Sequence, residues 1–429
     1  MTESWLQSTA RASVVGTLRR IQHGQLTIVS NYQNSDNRTE AFGNPKAAKG
    51  GSTDEGVIVI LNSPNAWVRI CRTFDLGFSE AYMLQEIDCN NLVGLFSLYI
   101  ANFNSFGFSG PSILQRLIRS ISYLVFQLPN YVSAARLNAS FHYDTSNTMF
   151  SSFLSPDMNY SCALWSDDGS ESLEAAQLRK VHNILDKARI EASDHVLDIG
   201  CGWGHLAIEA VRKTGCRVTG LTLSAKQKSL AEARIKAAGF QDNITILLCD
   251  YRQAPKPLNG YDKVISVEMV EHVGNRFMNQ YFQSVPNLVK PNGGVMVLQS
   301  STYCNLMSNE NSEVDTFVTR YIFPGGFLPS INQLLSSLHV GSQGALEVET
   351  VQSMGPHYVK TLVCWRENFL RNWIAIRNDF AAKHPDATET NIEAFRRRWL
   401  YYFMYVESGF RTGILGVHVV SAVRSSVLA

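Results

Sequence analysis

Several protein classes are excluded by what this chain lacks. Its eight cysteines (Cys71, Cys89, Cys162, Cys201, Cys216, Cys249, Cys304 and Cys364) form no C-x-x-C pair and no His/Cys metal spacing. That pattern argues against a disulfide framework or a zinc site and predicts a reduced, intracellular chain. No stretch approaches the ~20 apolar residues of a spanning helix. The start, MTESWLQSTARASVV, lacks the basic-then-apolar layout of a secretory signal. A cytoplasmic protein, soluble or peripherally membrane-associated, is therefore expected. A formal net charge of +1 gives no global pull toward nucleic acid, while leaving room for local basic patches that meet phospholipid head groups. No internal repeat and no heptad run is found.

At 429 residues, with 45% hydrophobic content, the chain is long enough for one catalytic domain plus a smaller companion. The first ~105 residues read as a small α+β module. It has strands at Leu26 to Val29 and Gly56 to Leu61 and helical patterns at Ser79 to Glu86 and Leu92 to Phe103. The polar stretch Asn31 to Asp54 offers no apolar face in either period and reads as a loop. Asn104 to Pro111 reads as a linker. In Ile113 to Leu137 the residues Leu114, Leu117, Ile118, Ile121 and Leu124 share one helical face, broken near Pro129. A helix lying on a bilayer and a core-facing or interdomain helix are both open readings. The expected boundaries are 1–105 for a small lipid-associated domain, 106–140 for the linker and amphipathic helix, and 141–429 for the catalytic domain.

From Ser172 onward helices and β-branched strands alternate. Strands are expected at His195 to Ile199, Arg217 to Leu221, Ile244 to Cys249, Lys263 to Val267 and Gly294 to Gln299. Helices are expected up to Ala188 and at Leu206 to Lys213, Ala225 to Ala238 and Asn275 to Leu288. Such alternation builds a parallel sheet with helices on both faces, an α/β fold of Rossmann-like type.

After the first strand of this series, Asp198 leads into Gly200, Gly202 and Gly204 where strand turns to helix. Glycines there let backbone approach a ligand with no Cβ in the way. A dinucleotide site would carry an acid about twenty positions on, at the end of the second strand. Here that stretch reads Val218-Thr219-Gly220-Leu221-Thr222, and the loop has D-x-G-x-G-x-G spacing. An S-adenosylmethionine site is the better reading. Asp250, closing the third strand, is placed to meet the adenine amino group with Tyr251 packing on the ring, unless Asp250 only forms a turn and Tyr251 only fills core.

These residues resemble the cyclopropane fatty acid synthases, a family that includes the mycolic acid cyclopropane synthases. The matching runs are His142-Tyr143-Asp144, Met158 to Trp165, the glycine loop, Gly220 to Ser224 with Gln227, Glu271-His272-Val273-Gly274, Tyr321 to Gly326 and Glu407 to Arg411. Ile21 to Leu26 and Leu76 to Tyr82 also resemble the N-terminal domain of the phospholipid-acting branch.

The resemblance implies a class I methyltransferase with a mostly parallel sheet. Its S-adenosylmethionine pocket would be lined by Tyr160, Ser161, Asp198, Gly200, Gly202, Thr222, Leu223, Gln227, Asp250, Tyr251 and Arg252. It further implies a bicarbonate ion caged by Cys162, Glu271, Tyr358 and a histidine, with His272 beside Glu271. Gln299 stands in that histidine's place; it can hydrogen-bond a carbonate but cannot carry its proton. Ser301 would offer a backbone amide.

The implied activity is C-methylation of a cis double bond in an unsaturated acyl chain, in a phospholipid, with closure to a cyclopropane. Methyl branching, and N-methylation of a small amine, are the alternatives. Trp399 to Tyr405 would supply one wall of a lipid tunnel or serve as ordinary core, and Arg396, Arg397 and Arg398 would face either head groups or solvent. The expected partners are the acyl substrate and a membrane surface; a homodimer is admitted.

Overall fold

The computed structural model describes residues 3–32, 38–44, 56–106, 146–167, 169–306 and 316–425. The amphipathic segment Ile113 to Leu137, the end of the expected linker and His142 lie outside them. Two compact units result. The described residues of Met1–Asp144, Asp315–Pro324 and Arg377–Thr412 form one, and those of Thr145–Val314, Gly325–Ile376 and Gly413–Ala429 the other. The first unit thus takes in two later segments that the sequence had placed in the catalytic domain.

The first unit is built on a four-stranded sheet of order β2-β1-β3-β4: β1 (Gly24–Ser30), β2 (Arg38–Asn44), β3 (Val57–Leu61) and β4 (Ile87–Cys89). β1 runs parallel to β3 and antiparallel to β2. Leu26, Ile28, Val57, Val59 and Leu61 alternate inward onto Trp67 and Ile87, as period-two burial requires. β2 corrects the expectation of a continuous loop from Asn31 to Asp54. It is an edge strand whose single buried residue is Phe42, so its hydrophobic period is too short to read. The aromatic run after Arg398 fills core: Tyr401 packs on Phe317 at 4.5 Å and Phe96 at 5.1 Å between centroids. Arg398 is itself buried, and Arg397 bonds Asp88 at 2.6 Å and the carbonyls of Tyr82 and Ile87. Neither arginine is left to face head groups.

The second unit carries a seven-stranded sheet of order β10-β11-β9-β8-β5-β6-β7. Its strands are β5 (His195–Ile199), β6 (Arg217–Thr222), β7 (Ile244–Leu248), β8 (Lys263–Val267), β9 (Val295–Tyr303), β10 (Leu346–Ser353) and β11 (Leu415–Arg424). β5 to β9 are mutually parallel, while β11 runs antiparallel to β9 and β10. Val196, Leu197, Asp198 and Ile199 are all buried, the continuous run that a strand covered on both faces requires. The strand order reverses at β5, so the carboxyl ends of β5, β6, β8 and β9 open onto one crevice, where open α/β sheets bind ligands. No helix among the described residues is long and apolar enough to cross a membrane.

Candidate active site

The glycine loop follows β5 directly. Gly200, Gly202 and Gly204 all have positive φ, at 84°, 53° and 81°. A Cβ on Gly202 would meet no atom within 4 Å, whereas one on Gly200 would lie 2.9 Å from Met269. Space is therefore kept open at Gly202, at the N-terminal approach to the helix His205–Thr214. Asp198, at the end of β5, is 2% exposed, and its Oδ2 has no partner among the described residues. Burial raises its carboxyl to about 7, against a pull downward from Lys180. An orphaned carboxylate oxygen beside an open glycine loop suits a cationic ligand group.

Thr222 closes β6, with its hydroxyl donating to Gln227 Oε1 at 2.7 Å and accepting from the Ser224 amide. Leu223 beside it is 75% exposed. Past β7, both Asp250 oxygens are engaged by Arg252, at 2.8 Å from Nε and 2.8 Å from Nη2, which holds the Asp250 carboxyl below its ordinary range. Oδ1 also accepts from the Arg252 amide at 2.9 Å, so Oδ2 is the oxygen with more capacity for a ligand. Tyr251 packs edge-on against Tyr281 at 5.0 Å, so it serves the core as well as the crevice.

The segment Tyr160–Cys162 enters the same unit. Tyr160 sits among Phe150 (5.1 Å), Phe153 (5.9 Å) and Trp365 (5.2 Å), and Tyr358 lies 5.7 Å from Trp365. Ser161 Oγ accepts from Lys180 Nζ at 2.9 Å. Lys180, 1% exposed on the helix Leu173–Ala188, has its amine pulled down by burial and held up by Glu268, Asp157, Cys162 and Asp198. Sequence reasoning passed over this lysine because it sits within an ordinary amphipathic helix.

Glu268, the residue after β8, was also missed. One oxygen accepts from the Cys162 amide at 2.9 Å and from Gln299 Nε2 at 2.7 Å; the other accepts from the Tyr358 hydroxyl at 2.9 Å. Three of the four groups expected to cage an anion therefore converge on a carboxylate of the chain itself. The backbone enforces this: Glu268 takes φ 47°, while its amide continues the ladder to the Gln299 carbonyl at 2.8 Å. Burial raises its carboxyl, and the three donors and Lys180 oppose the rise.

Cys162 contributes its amide rather than its sulfur: the thiol faces the Ala163 and Met354 carbonyls, and burial pushes its pKa far up. Glu271 is buried and accepts from the Ser301 amide at 2.6 Å, so this amide serves Glu271. Burial, with the Glu268 charge second, raises the Glu271 carboxyl to about 8. Gln299 is 1% exposed, and its Oε1 has no partner among the described residues. His272 is exposed rather than buried with these groups. The one signal that pointed to Glu268 was its place at a strand's carboxyl end, three residues before Glu271.

Residues 132–420 match the family model described as mycolic acid cyclopropane synthetase. The chain belongs to this family. Tuberculostearic acid methyltransferase UfaA1 of Mycobacterium tuberculosis is 34% identical over 392 residues, covering 88% of this chain and 86% of its own. Cyclopropane-fatty-acyl-phospholipid synthase of Escherichia coli is 32% identical over 353 residues, 82% of this chain and 84% of its own. Among solved structures, mycolic acid cyclopropane synthase CmaA1 complexed with SAH and CTAB superposes with TM-score 0.57 at 28% identity, over 67% of this chain and 98% of its own. This cyclopropane synthetase family member is thus an S-adenosylmethionine-dependent methyltransferase on a class I fold. The open loop at Gly202 and the orphaned Asp198 oxygen fit that cofactor.

Proposed function

We propose that this enzyme methylates the cis double bond of an unsaturated acyl chain, carried in a phospholipid, and resolves the product to a cyclopropane. The cofactor supplies an electrophilic methyl on a sulfonium. Asp198, Gly200, Gly202, Thr222, Gln227, Asp250, Tyr251 and Arg252 would hold it, with Tyr160, Ser161 and Leu223 completing the pocket.

The observation that carries the reading is a carboxylate anchored by three donors in the same unit as a cluster of aromatic rings. Attack of an alkene on a methyl leaves a cation on the chain, which ring faces stabilise by up to about 2 kcal/mol each where water is excluded. A base must then collect a proton from the new methyl. A neutral amine substrate would need neither. Burial of the acyl chain contributes about 0.8 kcal/mol per methylene, and the lipid would reach the enzyme by peripheral contact with a membrane.

A second reading, methyl branching in place of the ring, is favoured by the likeness to a tuberculostearic acid methyltransferase. Incubation with S-adenosylmethionine labelled in its methyl and mixed unsaturated phospholipids, followed by mass spectrometry, separates the two. A labelled ring supports the first reading and a labelled branch the second. Lipids left unlabelled while a small amine gains the label would overturn both.

A further inference from the structure

We propose that Glu268 is the enzyme's own proton acceptor, occupying with its carboxylate the position for which a dissolved bicarbonate was expected. The inference rests on the acyl-methylation reading and adds the identity of its base. Cys162 N, Gln299 Nε2 and Tyr358 Oη are groups the resemblance assigned to an anion cage, and all three donate to Glu268. The Ser301 amide, a further expected donor, is committed to Glu271. A separate carbonate would meet a like charge with its donors already spent, so the residues present do not fit that ion.

Glu268 also retains partial exposure, whereas Gln299 and Tyr358 are buried. The Glu268 oxygen bonded by Tyr358 accepts that one hydrogen bond, while the other accepts two, so the first is the one with a lone pair for a proton. Gln299 fits the role as well: a carboxylate base needs a donor at that position rather than a second proton carrier, and the Gln299 side-chain amide is a fixed donor.

The step balances. One alkene carbon bonds the methyl as the carbon–sulfur bond breaks and leaves a neutral thioether. The other alkene carbon is left cationic. A C–H bond of the new methyl then breaks, its electron pair closing the ring and its proton passing to a Glu268 oxygen. Glu268 returns the proton to water after the product leaves.

The test compares wild type, Glu268→Gly and Glu268→Gln in buffer stripped of carbon dioxide and in buffer with added sodium bicarbonate. Glycine is the natural replacement because the backbone already takes a positive φ there, and Glu268→Gln, which keeps an oxygen for the same donors, separates loss of the base from loss of stability. Wild type is expected to methylate acyl chains equally in both buffers. Glu268→Gln should fall by about 10²–10⁴-fold, the range for losing a general base, with SAH binding unchanged. Glu268→Gly should fall likewise and regain activity saturably with bicarbonate. Binding of ¹³C-labelled bicarbonate to the SAH complexes, followed by NMR, gives a readout free of activity: binding to Glu268→Gly but not to wild type is expected.

Wild type that stalls without bicarbonate, Glu268→Gly that is fully active in stripped buffer, or equal bicarbonate binding by both proteins would overturn the proposal. Unlabelled acyl chains from wild type, with bicarbonate binding confined to the glycine variant, would sink the acyl reading while leaving Glu268 as the filler of the anion position.

Discussion

Glu271 holds its proton over a wide pH range because its carboxyl is buried beside Glu268. The folded protein keeps that proton up to about pH 8, whereas an unfolded glutamate releases it near 4.5. Stability from this group is full below the unfolded value and is lost as pH climbs toward 8, by up to about 1.4 kcal/mol per pH unit. Glu271→Gln keeps an oxygen for the Ser301 amide and removes the titration. Its Tm relative to wild type should therefore climb between pH 5 and 8 and level off above; a constant offset would contradict the assignment. Lys180→Met removes a buried cation that faces Glu268, Asp157 and Asp198 together. Denaturant titration should show a loss of about 3–5 kcal/mol, as stranding buried carboxylates does; a loss below 1 kcal/mol would mean that those groups are neutral.

At the level of elements, two glycines near the crevice separate packing from binding. A Cβ on Gly220 in β6 would sit 2.7 Å from Ile246 and 3.0 Å from Cys201, so Gly220→Val should cost about 1–3 kcal/mol of stability through overpacking. A Cβ on Gly202 meets nothing within 4 Å. Gly202→Val should keep most of its stability, apart from the strain of a positive φ, yet lose SAH binding by calorimetry by at least tenfold. If Gly202→Val binds SAH normally, the cofactor does not approach this loop.

The glycine loop was legible because strand, acid and glycines lie within seven consecutive residues and the backbone alone dictates them. β5 and β8 were legible because a strand buried on both faces carries apolar residues at successive positions, as at Val196-Leu197 and Val264-Ile265. Glu268 was not, since its role depends on donors 106, 31 and 90 positions away in the chain. β2 was hidden by having a single buried residue. The run Arg396 to Arg398 did not reveal which arginines turn inward, because successive helical residues differ by about 100° in direction.

Over the whole molecule, the sequence led to the α/β class and the family, while the division into units escaped it. Asp315–Pro324 and Arg377–Thr412 belong with the N-terminal sheet, and no composition shift marks their edges. Tyr321, in the first of these segments, donates its hydroxyl to Glu80 at 2.6 Å, a pairing 241 positions apart. Arg69 faces the other Glu80 oxygen at 3.7 Å, so Tyr321→Phe should lower stability in denaturant titration by about 1 kcal/mol, the cost of one lost hydrogen bond; no loss would mean that the pairing does not hold this segment to the N-terminal sheet.

The proposed reaction passes a methyl to an alkene carbon and then a proton from that methyl to a base held by the protein. Supplying S-adenosylmethionine with a fully deuterated methyl, together with cis-unsaturated phospholipid, tests it most directly by mass spectrometry of the acyl chains. The expected product is a labelled chain in which the transferred carbon has lost a single deuterium. A chain that keeps every deuterium on that carbon, or one that carries no label, would contradict it.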